Sequence, residues 1–211
     1  FGTLPLNLGS YHIAQFNGEG YKRPEWDEGK AWYWMLLLTP LKMTGVKALE
    51  GLAVGSSYRW EKVDAELEHR YYLFTALVHY SYGITDYLGV NLGFEYASSY
   101  EKPERTSTSD EKIDSMGYSG YVGLTLFNDF GIFGRYDFYD PNTKNSEGKQ
   151  IGYRDELTCI IAGVSYQPIR YVKLAADYQT TSYTAKVIDD KGDEVTKPAD
   201  SFLYFHTEFK F

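Results

Sequence analysis

Read at a period of two, the chain separates into strand-length runs in which apolar and polar positions alternate. About ten such runs are visible: SYHIAQF, AWYWMLLLT, GLAVGSSYRW, YYLFTALVHYSY, YLGVNLGFEY, MGYSGYVGLTLF, GIFGRYDFY, LTCIIAGVSY, YVKLAADYQT and SFLYFHTEFKF. The faces separate well. Leu88, Val90, Leu92, Phe94 and Tyr96 share one side, with Asn91, Gly93 and Glu95 on the other. Ile132, Gly134, Tyr136 and Phe138 oppose Phe133, Arg135 and Asp137, and Leu174, Ala176 and Tyr178 oppose Lys173, Ala175, Asp177 and Gln179. In the last run Leu203, Phe205, Thr207, Phe209 and Phe211 oppose Tyr204, His206, Glu208 and Lys210. No segment keeps a 3.6-residue period over three turns; PLKMTGVKALEG has room for one helical turn, and Gly45 opposes a longer helix.

The connections alternate in length. Short turns are expected at Gly83–Asp86, Asn128–Phe130 and Pro168–Arg170, each carrying turn residues. Between them lie long polar segments: NGEGYKRPEWDEGK, SSYEKPERTSTSDEKIDS, DPNTKNSEGKQIGYRDE and AKVIDDKGDEVTKPAD, with EKVDAELEHR of intermediate length. One connection, PLKMTGVKALE, is long where a short turn belongs. Antiparallel strands with short turns at one end and long charged loops at the other describe an outer-membrane barrel, whereas a soluble sandwich mixes lengths at both ends. Runs of about 9–12 residues are long for ordinary strands and suit a tilted crossing of a bilayer. Aromatic residues crowd the run ends (Tyr58 and Trp60, Tyr71 and Tyr72, Tyr80 and Tyr82, Tyr96, Tyr136 and Tyr139), where an interfacial girdle belongs.

Composition sharpens this picture. Of 211 residues 18% are aromatic, including 21 tyrosines and 12 phenylalanines, a bias toward strands and turns. The net charge of −8 leaves no basic stripe for phosphates, which argues against a nucleic-acid partner. Cys159 is the single cysteine, so neither a disulfide framework nor a zinc cluster is expected. The longest apolar run, Ala31–Leu38, is far too short for a membrane-spanning helix. The chain begins at Phe1 without methionine, which reads as a processed chain or a piece of a longer one.

Strand parity assigns a set of inward charges: Arg59, Arg135, Lys173 and Lys210 against Glu95, Asp137, Asp177 and Glu208, with His206 among them. They are candidates for a pore lining that tunes ion passage, or for pairs that neutralise one another and help fix the geometry. Four of each sign do not make an anion-selective array. No GxSxG or HExxH occurs, and His69 near Asp64 is the best rim candidate for acid–base chemistry, so no enzyme is expected. VIDDKGDEV gathers Asp189, Asp190, Asp193 and Glu194 without EF-hand spacing. Val187–Ile188 and Val195–Thr196 flank its tip symmetrically, which predicts a hairpin standing above the membrane. No metal or other cofactor is expected.

Several segments resemble the phosphate-selective porin O and P family of Gram-negative outer membranes, in its C-terminal part. They are YHIAQFNGEGY, LLLTPLK, GIFGRYDFYDPN, IIAGVSYQPIRYVKLAADYQ and the closing HTEFKF. The resemblance implies a barrel of about 16 strands, so ten runs read either as a smaller barrel or as the C-terminal portion of a larger one. Its phosphate selectivity does not carry over to balanced inward charges. The resemblance also implies a homotrimer, and an insertion signal formed by Phe205, Phe209 and Phe211 at the C-terminus. The expectation is an all-β, up-and-down transmembrane barrel occupying residues 1–211 as one domain in the bacterial outer membrane. Its expected role is a porin-like channel for small hydrophilic solutes, the alternative being a structural or partner-binding barrel with a filled lumen. Its expected partners are the lipid bilayer, lipopolysaccharide and, during insertion, the barrel assembly machinery.

Overall fold

The computed structural model describes residues 2–17, 30–64, 69–102, 113–127, 129–141, 143, 156–184, 186–188 and 194–209. Among the described residues there are thirteen strands: β1 Gly2–Thr3, β2 Gly9–Asn17, β3 Lys30–Leu38, β4 Leu52–Asp64, β5 His69–Thr85, β6 Leu88–Lys102, β7 Ile113–Leu126, β8 Phe130–Asp140, β9 Leu157–Ile169, β10 Val172–Tyr183, β11 Lys186–Ile188, β12 Glu194–Thr196 and β13 Asp200–Phe209. Eleven form one sheet in chain order, β1 through β10 and then β13, while β11 and β12 pair separately as the expected hairpin. The up-and-down all-β fold is as the alternation predicts, with ten long strands (β2–β10 and β13) and the two-residue β1 in addition.

Several strands exceed the expected 9–12 residues; β5 has 17, β6 has 15 and β7 has 14. Ladder pairing needs only a neighbour, so strands continue through residues that a hydropathy pattern assigns to turns and links. The β5–β6 turn shrinks to Asp86–Tyr87 and the β9–β10 turn to Arg170–Tyr171. The β7–β8 turn places Phe127 at φ 53, its N–H donating to the Tyr87 carbonyl at 2.8 Å. The long β3–β4 connection contains a 3-10 turn at Lys42–Thr44 and one α-helical turn, α1 (Lys47–Glu50), separated by Gly45 at φ 69. Thus the single helical turn anticipated there exists, and Gly45 takes the left-handed conformation that ends the first piece.

Two compact units can be described. The first holds β1–β4 and the loop-side parts of β5–β7; the second holds the turn-side parts of β5–β7, then β8–β13. In the first, the register His12↔Met35, Tyr33↔Arg59 and Ala31↔Glu61 runs one face across β2, β3 and β4. The opposite face aligns Ile13↔Trp34↔Tyr58 and Gln15↔Trp32↔Trp60. In the second unit, Arg135↔Ile161↔Gln179 and Phe133↔Gly163↔Asp177↔Tyr204 define a polar face. Ile132↔Val164↔Ala176↔Phe205 lies on the apolar one.

Burial is inverted relative to a soluble protein. Among the described residues, the buried polar ones are Ser57, Glu61, Ser115, Ser119 and Asp177, and the only buried apolar one is Ala31. Large apolar side chains stand exposed on the other face: Phe205 at 77%, and likewise Ile13, Phe94, Ile132 and Val164. In water such a surface would be a vast aggregation patch; against lipid tails it is the stable arrangement.

Aromatic rings mark two levels on that apolar face. In the first unit Trp34, Tyr58, Tyr72 and Tyr100 follow one another across neighbouring strands, with centroid separations of 6.2, 6.3 and 5.6 Å. In the second, Tyr118 stacks on Phe138 at 5.0 Å toward the loop ends, and Phe130 on Tyr166 at 4.6 Å toward the turn ends. Phe130 and Phe138 lie on one strand about 26 Å apart along its axis, or about 20 Å of height at ordinary barrel tilt, close to the thickness of an apolar band. The girdle expected from the sequence needs one correction. Tyr71 lies under the Arg59 guanidinium, 5.9 Å from its centroid, and Tyr139 shares the strand face of Arg135 and Asp137. Adjacent strand residues point to opposite faces, so Tyr71 and Tyr72 cannot both join the girdle.

Candidate functional site

The polar face is the candidate site, and its chemistry follows from a strand's period of two. Residues i and i+2 project side by side, about 6.6 Å apart along the strand, within reach of a long guanidinium. Arg59 on β4 therefore pairs with Glu61, and Arg135 on β8 with Asp137 through Nε to Oδ1 at 2.7 Å. Glu61 is 5% exposed. A carboxylate that deep is tolerable only when paired and hydrogen-bonded, and Arg59 supplies that partner while its own plane rests over Tyr71.

Asp177, 4% exposed, is the second buried carboxylate. It draws partners from two strands: Gln179 Nε2 donates to Oδ1 at 2.8 Å along β10, and His206 Nε2 lies 2.6 Å from Oδ2 across the β10–β13 pairing. Lys173 stands opposite Glu208 in the same pairing. Glu95 shares its strand side with Asn91 and Gly93 and is exposed. Thus the structure joins Asp177 with His206 and Arg135 with Asp137, places Lys173 and Glu208 in register, and keeps Arg59 with a partner outside the expected set. Lys210 and Phe211 lie outside the described residues, as does the acidic tip Asp189–Asp193. Phe205 and Phe209 occupy the apolar face of β13, both well exposed.

Glu61, Ser57, Ser115 and Ser119 were not among the residues singled out by parity. Glu61 has the same parity as Arg59, but β4 continues to Asp64 where the hydropathy pattern ends at Trp60. Two of the serines form hydroxyl pairs between strands, Ser57 with Thr75 at 2.7 Å and Ser115 with Ser99. Small residues on this face are also covered by rings: a Cβ on Gly93 would overlap the Tyr121 ring, which itself stacks on His79 at 6.1 Å. A Cβ on Gly163 would come 2.5 Å from Phe133 Cζ. Paired charges, hydroxyl pairs and folded-over rings occur on the polar face within each unit, beside exposed residues such as Glu95, Arg135, Lys173 and His206.

Residues 46–211 match the family described as OmpA-like transmembrane domain. Eight long strands, β4 through β10 and β13, fall inside the matched span, and β1–β3 precede it. This is an outer-membrane β-barrel family, as the porin O and P group is, but a different one from the group that the sequence motifs resemble. A search of curated proteins found no match.

Proposed function

The chain belongs to the OmpA-like transmembrane domain family, and from that premise we propose that it is a structural, non-catalytic barrel whose lumen is filled by its own side chains. The coarser part needs no proposal: it is a β-barrel of the bacterial outer membrane. The observation carrying the finer part is the depth and pairing of Glu61 and Asp177. A diffusion pore keeps its charges hydrated and facing an open path. Here the two deepest carboxylates spend their hydrogen-bonding capacity on neighbouring side chains, and Tyr121 and Phe133 fold down over glycines. The matched span holds eight long strands, the number whose barrels leave an interior just wide enough for side chains, and β2 and β3 extend the same sheet to ten.

In this role the long loops face lipopolysaccharide and external partners, the apolar face meets lipid, and the aromatic positions of β13 serve recognition by the assembly machinery. No cofactor is required. A narrow porin-like channel is the second reading, favoured by Lys173, which is exposed on the polar face in register with Glu208. Phosphate selectivity gains no support, because Arg59 and Arg135 are both neutralised by carboxylates. Trimerisation stays a corollary of the channel reading.

Planar-bilayer recording on the refolded chain decides between them. The filled-lumen reading expects a heat-modifiable, folded barrel that gives no stable current steps. Reproducible steps scaling with salt concentration would transfer the case to the channel.

A further inference from the structure

The β3–β4 connection, Thr39–Gly51, is far longer than a hairpin requires; Asp86–Tyr87 and Arg170–Tyr171 close the β5–β6 and β9–β10 hairpins. Its backbone is ordered by its own bonds. Lys42 N–H donates to the Thr39 carbonyl at 3.2 Å, Thr44 N–H to Leu41 at 3.2 Å and Leu49 N–H to Val46 at 2.8 Å. The Thr44 hydroxyl donates to the Leu41 carbonyl at 2.8 Å and accepts from Val46 N–H at 3.3 Å. Yet its apolar side chains are turned out: Met43 is 56% exposed, Val46 49% and Leu49 41%. Leu6, in the 3-10 turn before β2, is 68% exposed at the same end of the sheet, where Thr39 N–H donates to the Leu8 carbonyl at 2.7 Å. Lys42 and Lys47 are exposed among these residues, and Glu50, also exposed, is the single acidic residue between Thr39 and Gly51, so the connection carries a net positive charge in a chain of net charge −8.

We infer that this connection is an interfacial foot that inserts Met43, Val46 and Leu49 into the periplasmic leaflet, with Lys42 and Lys47 on anionic phospholipid headgroups. Three features select lipid as the occupant. The segment continues directly from the lipid-facing positions of its flanking strands, Leu36 and Leu38 on β3 and Val54 on β4. Short connections of outer-membrane barrels lie on the periplasmic side, where the leaflet is phospholipid. Apolar side chains with lysines beside them, on a backbone bonded within itself, match what an interfacial segment needs. The inference depends on the membrane-barrel fold but not on whether the lumen is filled.

The test uses the full chain in the Cys159→Ser background, with Met43→Cys, Leu49→Cys or, as an aqueous control, Asp86→Cys carrying an environment-sensitive fluorophore. Each is refolded into vesicles of phosphatidylethanolamine with a minority of phosphatidylglycerol. The expected result is iodide quenching at 43 and 49 about threefold weaker than at 86, with strong quenching by nitroxide placed at the lipid headgroup. Lys42→Glu with Lys47→Glu should restore much of the iodide access. Iodide quenching equal to that at 86 overturns the inference, and so does protection without nitroxide quenching, which would mean cover by protein. Heat-modifiable migration of the same samples reports the barrel independently, so a failed foot and a failed barrel are distinguishable.

Discussion

Substitution of Gly163 by alanine tests whether the β9–β10 spacing is set by a missing side chain. A Cβ built there lies 2.5 Å from Phe133 Cζ, 2.7 Å from the Ala176 carbonyl oxygen and 2.7 Å from Asp177 Cβ. Ordinary contact is about 3.5–4.0 Å, so close to 1 Å must be recovered. The Phe133 ring can turn aside, but Ala176 is backbone in the middle of β10, and Asp177 is held by Gln179 and His206. The strands must therefore separate locally, an overpacking change of about 1–3 kcal/mol. At about 2 kcal/mol the unfolded fraction rises roughly 30-fold. Gly120, whose added Cβ meets nothing within 4 Å, supplies the matched control; Gly120→Ala should be neutral or stabilising by up to about 1 kcal/mol, since glycine weakens a strand. Urea unfolding in vesicles, followed by tryptophan fluorescence and heat-modifiable mobility, gives both values. Adding Phe133→Ala to Gly163→Ala should recover only part of the loss. Equal behaviour of Gly163→Ala and Gly120→Ala, or full rescue by Phe133→Ala, would refute the backbone-clash argument.

Val164→Arg, mid-strand on the apolar face of β9, should destabilise the folded barrel by about 2–4 kcal/mol if that face meets the bilayer centre; the same urea titration reads it, and a neutral result would contradict a lipid-facing position. Asp177→Ala removes the acceptor for Gln179 and His206 and should lose about 1–3 kcal/mol. A cycle with His206→Ala should be non-additive by at least about 0.5 kcal/mol, and simple additivity would mean that the contact contributes nothing. Phe205→Ser and Phe209→Ser should slow assembly into the outer membrane in cells, read as accumulation of periplasmic precursor, while unchanged assembly would free these residues from a recognition role.

Which face each residue occupies was legible in the sequence, because a strand's period of two needs no knowledge of neighbours. Asp177, His206, Arg135 and Asp137 all lie where parity puts them. Which residues meet was not legible, because cross-strand partners depend on register. Asp177 lies opposite Tyr204 in the β10–β13 pairing, and His206 opposite Ala175, two positions away. Their contact is a diagonal one that no spacing along the chain encodes. The same holds for Phe133 over Gly163. Strand ends failed for a different reason: hydropathy stops at Trp60, but hydrogen bonding carries β4 to Asp64 and brings Glu61 into the polar face.

That last residue bears on why the inner charges resist a simple pore interpretation. By parity Arg59 is one of four inward cations set against four acids, none of them assigned to it as a partner. The fold sets Glu61 beside it on the same strand and same face, as it sets Asp137 beside Arg135. Because i and i+2 are neighbours by strand geometry alone, these two pairs persist however the strands are arranged around them. Their net charge is zero at each site, so their field falls off as a dipole's and steers no ion of either sign over distance. Selectivity has to come from charges outside these two pairs, and replacing Arg59 and Glu61 together by neutral residues should leave the sign preference of whatever current exists unchanged.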